Sequence, residues 1–287
     1  MQDGKGLRVT PTATPNQVVV TGAFDDLRSA QIRFLEEAAK LGEVTALLWS
    51  DKVVRQFQGK GSKFPEGERA YFLQAIRYVR RVHVISRQLD GSALPEVPGL
   101  RPDVWAVRES EGNAAQRSFC EARGLQYRVV RDEELSGFPE GPARPPASAP
   151  RRKRVMVTGC YDYVHSGHVR FFEEASAYGD LYVVLGHDAN LRRLKGPGHP
   201  LFPEQERRYV VGAIRYVTQA LIATGHGWLD AEPEIRRLKP DIYAVNEEGD
   251  RGGKREHCAN LGIEYLVLKR APAPGLPART STELRGF

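Results

Sequence analysis

Short apolar runs alternate with amphipathic segments along most of the chain. The runs VMVTG (155–159) and LYVVLGH (181–187) have the length and β-branched content of buried strands. Residues 169–178 and 204–216 carry apolar side chains at the spacing of one helix face. Further strand-like runs are ALIAT (220–224), DIYAV (241–245) and EYLVL (264–268). Strands that alternate with helices predict βαβ units, and therefore an α/β fold in which helices cover both faces of a parallel sheet.

The chain contains this pattern twice. Three segments of the first half align in register with three segments of the second half. The pairs are VVVTGAFDDLRSAQIRFLEEA (18–38) with VMVTGCYDYVHSGHVRFFEEA (155–175), FPEGERAYFLQAIRYV (64–79) with FPEQERRYVVGAIRYV (202–217), and residues 101–127 with residues 239–265. Because the matches keep their register over such a length, they predict a tandem duplication.

Residues 132–153 separate the two repeats and are rich in Pro, Ala and Gly, which is typical of an interdomain linker. We therefore predict one domain over residues 1–131 and a second over residues 154–287. Each is long enough to bury a core of its own.

Composition excludes several classes of protein. No apolar run approaches the ~20 residues that span a bilayer, and the N-terminus has no apolar signal core, so we expect no membrane partner and a cytoplasmic location. The three cysteines form no CxxC pair, which argues against a disulfide framework or a zinc site. The net charge is +6, but Lys and Arg alternate with Asp and Glu outside the run RRKR (151–154). We therefore expect no nucleic-acid partner and instead an anionic, phosphorylated substrate.

The most informative stretch is YDYVHSGH (161–168), which lies between a strand and a helix. Ligands of parallel sheets bind beyond the carboxyl ends of the strands, and a helix N-terminus attracts phosphate. Gly167 lets a phosphate approach the backbone closely. His165 and His168 can both donate hydrogen bonds to one anion. The stretch therefore predicts a phosphate site.

The segment TGCYDYVHSGHVRFFEEA (158–175) resembles the signature of the HxGH-type nucleotidyltransferase superfamily. It is most similar to the cytidylyltransferases that act on glycerol phosphate and ethanolamine phosphate, and adenylyltransferases that form ADP-heptose share this opening. A later segment, RTSTELR (279–285), resembles the superfamily element that holds the β- and γ-phosphates. The resemblance covers nearly all of residues 154–285 and, more weakly, residues 17–130. It implies two tandem Rossmann-like domains.

The resemblance implies an enzyme that transfers a nucleotidyl group from an NTP to a phosphorylated alcohol or sugar and releases pyrophosphate. Transfer of CMP from CTP is the preferred reading. The alternative is an adenylyltransferase that uses ATP on a sugar phosphate or a mononucleotide. An alternative of another class is a non-catalytic, regulatory nucleotide-binding protein. Mg²⁺ is expected to arrive on the triphosphate, with no metal ligand from protein side chains.

The resemblance also implies site residues. His165, His168 and Lys195 are the expected catalytic residues. The expected nucleotide and phosphate contacts are Gly159, Cys160, Tyr161, Gly167, Arg279, Thr280, Ser281 and Thr282. Candidates for contacts with the acceptor or the base are Arg207, Asn246, Glu247 and Glu248.

The first copy lacks both phosphate elements. Arg28 and Gln31 stand where the second copy has histidines, Ala30 stands for the glycine, and no RTSTELR segment follows. We therefore expect the first domain to be inactive and to persist as a packing partner, so that the chain forms an internal pseudo-dimer. Further homodimerisation stays open. In ethanolamine-phosphate cytidylyltransferases the intact motif lies in the N-terminal copy, which is the reverse of the order in this chain.

Overall fold

The computed structural model describes residues 15–87, 90–141, 152–269 and 271–285. The strands of the N-terminal unit are β1 (Gln17–Gly22), β2 (Glu43–Trp49), β3 (Val79–Ile85), β4 (Val104–Arg108) and β5 (Gln126–Val130). The strands of the C-terminal unit are β6 (Arg154–Gly159), β7 (Asp180–Leu185), β8 (Val217–Ile222), β9 (Ile242–Asn246) and β10 (Glu264–Leu268).

Helices connect these strands in both units. Those of the N-terminal unit are α1 (Ser29–Ala39), α2 (Asp51–Gln58), α3 (Glu66–Ala75) and α4 (Ala114–Glu121). Those of the C-terminal unit are α5 (Ser166–Ser176), α6 (Asp188–Lys195), α7 (Glu204–Gly212), α8 (Glu232–Leu238), α9 (Lys254–Asn260) and α10 (Ser281–Arg285).

Each unit has one parallel sheet with the same topology. The strand orders are β3-β2-β1-β4-β5 and β10-β9-β6-β7-β8, five strands in each sheet. The order reverses between β1 and β4 and between β6 and β9, so each unit has a switch point beside its first strand. The predicted α/β fold of two Rossmann-like units is confirmed.

The strand pattern produces two apolar faces. Residues 18–20 and 155–157 are fully buried, at 0% exposure. Because successive side chains of a strand point to opposite faces, Val155 and Val157 pack with α5 and α7, while Met156 packs with α8 and α9. The helices therefore cover both faces of the second sheet, as the continuous apolar runs predict.

The two units contact each other through matching segments. A single hydrophobic cluster contains buried residues of both units. At its edge, Ile76 pairs with Ile214 in an isolated antiparallel bridge. The matching backbone bonds are Arg77 N–H to Ala213 O at 2.9 Å and Arg215 N–H to Ala75 O at 2.8 Å.

Side chains repeat this reciprocity. The Tyr71 hydroxyl donates to Glu173 at 2.8 Å, and the Tyr209 hydroxyl donates to Glu36 at the same distance. Since each bond joins equivalent positions of the two copies, the contact has the form of a two-fold interface within one chain.

Residues 142–151 of the predicted linker lie outside the described residues. Residues 132–135 form a 3₁₀ turn after β5, and the Phe138 ring lies 6.0 Å from the Tyr209 ring. None of the helices in the described part of the chain is long and apolar enough to cross a membrane.

Candidate active site

A cavity of about 990 Å³ opens at the carboxyl ends of β6 and β9, beside the switch point of the second sheet. It brings together every site residue predicted from the sequence except Arg207. The lining includes Gly159, Cys160, Tyr161, His165, Gly167, His168, Lys195, Asn246, Glu247, Glu248, Arg279, Thr280, Ser281 and Thr282.

The HSGH turn forms the start of α5. His165 is the N-cap, and its Nδ1 accepts a hydrogen bond from the Gly167 N–H at 3.1 Å. Because Nδ1 accepts, the neutral ring carries its proton on Nε2, which makes that nitrogen a donor. The ring centroids of His165 and His168 lie 4.0 Å apart. The two imidazoles therefore form one paired surface at a helix N-terminus.

Gly167 is required by this pairing. A Cβ at this position would lie 3.0 Å from the His165 ring, closer than such a contact normally allows. In the N-terminal unit the equivalent residue is Ala30, where Arg28 replaces the histidine. The position of the His165 ring therefore requires a residue without a side chain at position 167.

The turn between β6 and α5 has an unusual backbone. Tyr161 has φ of +48°, and the equivalent Phe24 has φ of +45°. The Tyr161 ring lies over Gly159, where a Cβ would come within 2.8 Å of ring atoms. The ring is buried and packs roughly perpendicular to the His168 ring at a centroid distance of 5.3 Å. Tyr161 therefore supports the second histidine from behind.

The RTSTELR segment lies against this turn at the cavity. The Glu283 N–H donates to Thr280 Oγ1 at 3.2 Å, and the Thr280 N–H donates to the Glu283 carboxylate at 3.2 Å, which is a capping box. Ser281 Oγ donates to the Tyr163 carbonyl at 3.2 Å. The start of α10 is thus attached to the loop that carries HSGH.

Three lysines line another part of the cavity. Lys195 ends α6 before Gly196, which has φ of +86°. Lys254 and Lys269 also line the cavity, at the start of α9 and after β10. Burial lowers the pKa of Lys254, an effect that Asp250 and Asp230 partly oppose. A desolvated ammonium gains most from an anionic ligand, so this wall favours phosphate.

The structure corrects the prediction that Arg207 contacts a substrate. The Arg207 side chain is 1% exposed and does not line the cavity. Nε donates to Phe202 O at 2.9 Å, and Nη1 donates to Cys160 O at 2.7 Å. Nη2 donates to Gly186 O at 2.9 Å and to the Asp188 carboxylate at 2.7 Å. The guanidinium therefore ties loops together, and we assign it no contact with substrate phosphate.

The same arrangement occurs in the N-terminal unit. Arg69 donates to Phe64 O at 2.9 Å and to the Asp51 carboxylate at 2.7 Å, which are the equivalents of two Arg207 contacts. A unit without the phosphate elements keeps the arginine, which supports a structural role for both side chains.

Polar groups after β9 form another wall. Asn246 Oδ1 accepts from the Gly249 N–H at 2.8 Å and so caps the short 3₁₀ turn 247–249. Glu247 and Glu248 lie on this turn and line the cavity. The equivalent Glu109 accepts from the Asp132 N–H at 3.1 Å in the N-terminal unit. The position of these carboxylates suits contacts with a base or an acceptor.

Sequence reasoning missed several lining residues. They include Thr158, Phe171, Glu174, His199, Lys254 and Lys269. A signal for Lys254 was present, because a lysine after two glycines at a strand-to-helix connection lies at the ligand edge of a parallel sheet. Asp162 accepts hydrogen bonds from the Leu201 and Phe202 N–H groups at 2.6 and 3.0 Å and so ties the HSGH turn to the segment before α7.

The N-terminal unit has a smaller cleft at the equivalent place, with a volume of about 480 Å³. Gln31, Gln58 and Gln116 line it. Gln31 and Gln116 align with His168 and Lys254, and Gln58 ends α2 as Lys195 ends α6. This cleft therefore has glutamines where the cavity of the C-terminal unit has a histidine and two lysines.

Comparison with known proteins agrees with this geometry. A family model described as cytidylyltransferase-like matches residues 156–251. FAD synthase of Ferroglobus placidus is 35% identical over 119 residues, which are 41% of this chain and 75% of that protein. This chain belongs to the cytidylyltransferase-like family of nucleotidyltransferases. The resemblance to HxGH-type nucleotidyltransferases is thereby confirmed.

Two further proteins are similar to parts of this chain. The bifunctional protein HldE of Azorhizobium caulinodans is 44% identical over 89 residues, which are 31% of this chain and 18% of HldE. A lipopolysaccharide core biosynthesis protein from Thermoplasma volcanium superposes with a TM-score of 0.36 at 26% identity, over 42% of this chain and 98% of that one.

Proposed function

We propose that the C-terminal unit transfers a nucleotidyl group from an NTP to a phosphorylated small molecule and releases pyrophosphate. The observation that carries this proposal is the convergence of a histidine pair, two helix starts and three lysines on one cavity. A pocket that only recognised a sugar or a base would not need this density of phosphate-directed groups.

We further propose ATP as the donor, with CTP as the alternative. The FAD synthase of Ferroglobus placidus supports this order, because FAD contains an adenylyl group joined to a flavin phosphate. It reverses the preference for CTP stated above. The proposed acceptor is accordingly a mononucleotide or a sugar phosphate.

In this proposal the triphosphate lies over the start of α5, and the acceptor phosphate attacks the α-phosphorus in line. The O–P bond to the acceptor forms as the bond to the pyrophosphate oxygen breaks. His165 and His168 donate hydrogen bonds to the charge that develops on the α-phosphate and the bridging oxygen. Positioning and charge stabilisation carry such a reaction, since it asks for little covalent chemistry from the protein.

The remaining residues bind the ends of the substrates. Thr280, Ser281 and Thr282 with the start of α10 would bind the leaving pyrophosphate. Lys195 would contact the phosphates from the end of α6. Asn246, Glu247 and Glu248 would contact the base or the acceptor. Mg²⁺ would enter as a complex with the NTP, because it binds substrate phosphates in preference to all-protein cages.

A screen for pyrophosphate release tests the proposal. ATP and CTP are each incubated with FMN, glycerol phosphate, ethanolamine phosphate and hexose or heptose phosphates. We expect release with one donor and one acceptor class only. Binding of nucleotide without release in any combination would instead favour a regulatory nucleotide-binding protein.

A further inference from the structure

A buried carboxylate of the N-terminal unit contacts both phosphate elements of the proposed active site. Glu68 lies on α3 and is 3% exposed. Its Oε1 accepts a hydrogen bond from Ser166 Oγ, the first residue of α5, at 2.6 Å. Both of its oxygens accept from Arg279, with Nε at 3.2 and 3.1 Å and Nη2 at 2.8 Å. One side chain thus connects the HSGH helix with the RTSTELR segment.

An aromatic ring of the N-terminal unit also lies close to the Arg279 guanidinium. The guanidinium carbon lies 5.5 Å from the centre of the Phe64 ring. The hydrogen bond to Glu68 raises the pKa of Arg279, although burial opposes this. Arg279 therefore stays charged at the cavity wall. A long arginine side chain that is already held in place loses less conformational freedom when a ligand binds.

Packing of the two units does not by itself explain this ion pair. The symmetry-related Glu206 accepts a hydrogen bond from Ser29 Oγ at 2.5 Å, just as Glu68 accepts one from Ser166. The hydrogen bond thus occurs on both sides of the interface. The arginine contact is added on the side that has the RTSTELR segment, since the first repeat has no such segment.

We propose that Glu68 is a positioning residue for the C-terminal site, and that the N-terminal unit persists partly to supply it. Glu68 acts through Arg279, which it holds at the place where the triphosphate binds. This inference rests on the proposed function. It gives the inactive repeat a part in nucleotide binding that a packing partner alone would not have.

The test is Glu68→Gln in the full chain. Glutamine keeps the shape and an acceptor for Ser166, but it loses the charge that holds Arg279. We expect the dissociation constants of ATP and CTP, measured by calorimetry without acceptor, to rise about three- to tenfold, the scale of immobilising one long side chain. The matched control is Glu206→Gln, which removes the symmetry-related carboxylate and should leave these constants unchanged.

An Arg279→Ala background separates positioning from folding. If Glu68 acts through Arg279, adding Glu68→Gln there should weaken nucleotide binding no further. A further loss in that background, an equal loss in Glu206→Gln, or unchanged or tighter binding in Glu68→Gln would overturn the proposal. If Glu68→Gln does not fold, Glu68→Asp takes its place, because it withdraws the carboxylate from Arg279 by one methylene.

The binding assay also keeps this inference distinct from the proposed function. A wild-type chain that binds ATP or CTP but releases no pyrophosphate would refute the reaction and still decide the role of Glu68. A wild-type chain that binds neither nucleotide would overturn both.

Discussion

His165 and His168 are placed as a pair, since their rings lie 4.0 Å apart at the start of α5. The Tyr161 ring packs against His168, and the Gly167 N–H fixes the proton of His165 on Nε2. Two donors held in this way can stabilise the charge that develops in the transition state more than they stabilise the bound substrate. Only stabilisation of this kind raises the turnover number.

We expect His168→Ala to lower the turnover number by about a hundredfold, the scale of removing one preorganised donor. Nucleotide affinity should change much less, because the triphosphate keeps its other contacts. Pyrophosphate release under saturating substrates measures the effect. The matched control is Gln31→Ala, the equivalent change in the N-terminal unit, which should leave turnover intact. A His168→Ala enzyme of near-normal turnover would remove the pair from the mechanism.

Arg207 shows why a residue's role is hard to obtain from its place in a motif. An arginine on a helix after a strand has the same sequence pattern whether it points to a ligand or into the protein. The family resemblance made Arg207 a candidate for contacts with the substrate, but the residues around it supply four oxygens within 2.9 Å. The equivalent contacts of Arg69 became informative only with the structure.

Arg207→Ala should therefore act on stability. Removing a buried partner leaves Asp188 and the carbonyl groups uncompensated, so we expect a loss of about 3–5 kcal/mol in the free energy of unfolding. Arg69→Ala should cost a similar amount. Denaturant unfolding measures both. A stable Arg207→Ala protein whose only defect is a raised KM for the acceptor would restore the contact with substrate phosphate.

At the scale of elements, the strands and helices could be predicted from the sequence. The spacing of apolar residues and the content of β-branched residues indicate which positions are buried. The position of HSGH at a switch point also follows, since parallel strands bring their carboxyl ends to one edge. The contacts between α3 and α5 do not follow. Tyr71 and Glu173 are far apart in sequence, and nothing in either segment encodes its partner.

We expect the contacts of Glu173 in this interface to make the free energy of unfolding depend on pH. Burial raises the pKa of Glu173, but hydrogen bonds from Tyr71, Arg170 and Tyr216 outweigh it and hold the pKa below its ordinary value of 4.5. A carboxyl with a lowered folded pKa stabilises the protein above its unfolded pKa and loses this contribution as the pH falls through the folded value. We expect the difference in unfolding free energy between wild type and Glu173→Gln to shrink as the pH falls below 4.5. A difference that stays constant from about pH 6 to about pH 3 would contradict this assignment.

At the scale of the whole molecule, the first repeat contacts the second at the position where the second has its phosphate-directed histidine. The Arg28 guanidinium carbon lies 3.4 Å from the centre of the Tyr163 ring, and Nη1 donates to Val164 O at 3.5 Å. The Tyr163 hydroxyl donates to Asp26 at 2.7 Å. Arg28 stands where the second repeat has its first histidine, and in this position it contacts the loop that precedes the histidines of the other unit.

The last prediction follows from these contacts. Restoring the motif with Arg28→His, Ala30→Gly and Gln31→His should create no second nucleotide site, because the cleft also lacks an RTSTELR segment and has Gln58 and Gln116 in place of lysines. Turnover at the C-terminal site should instead fall roughly tenfold, since a loosened Tyr163 misplaces the catalytic loop. The control keeps Arg28 and changes only the other two positions, and it should retain full activity. Calorimetry should find one nucleotide per chain in all three proteins. Two nucleotides in the restored protein, or undiminished turnover, would show that Arg28 is a passive remnant of a lost site.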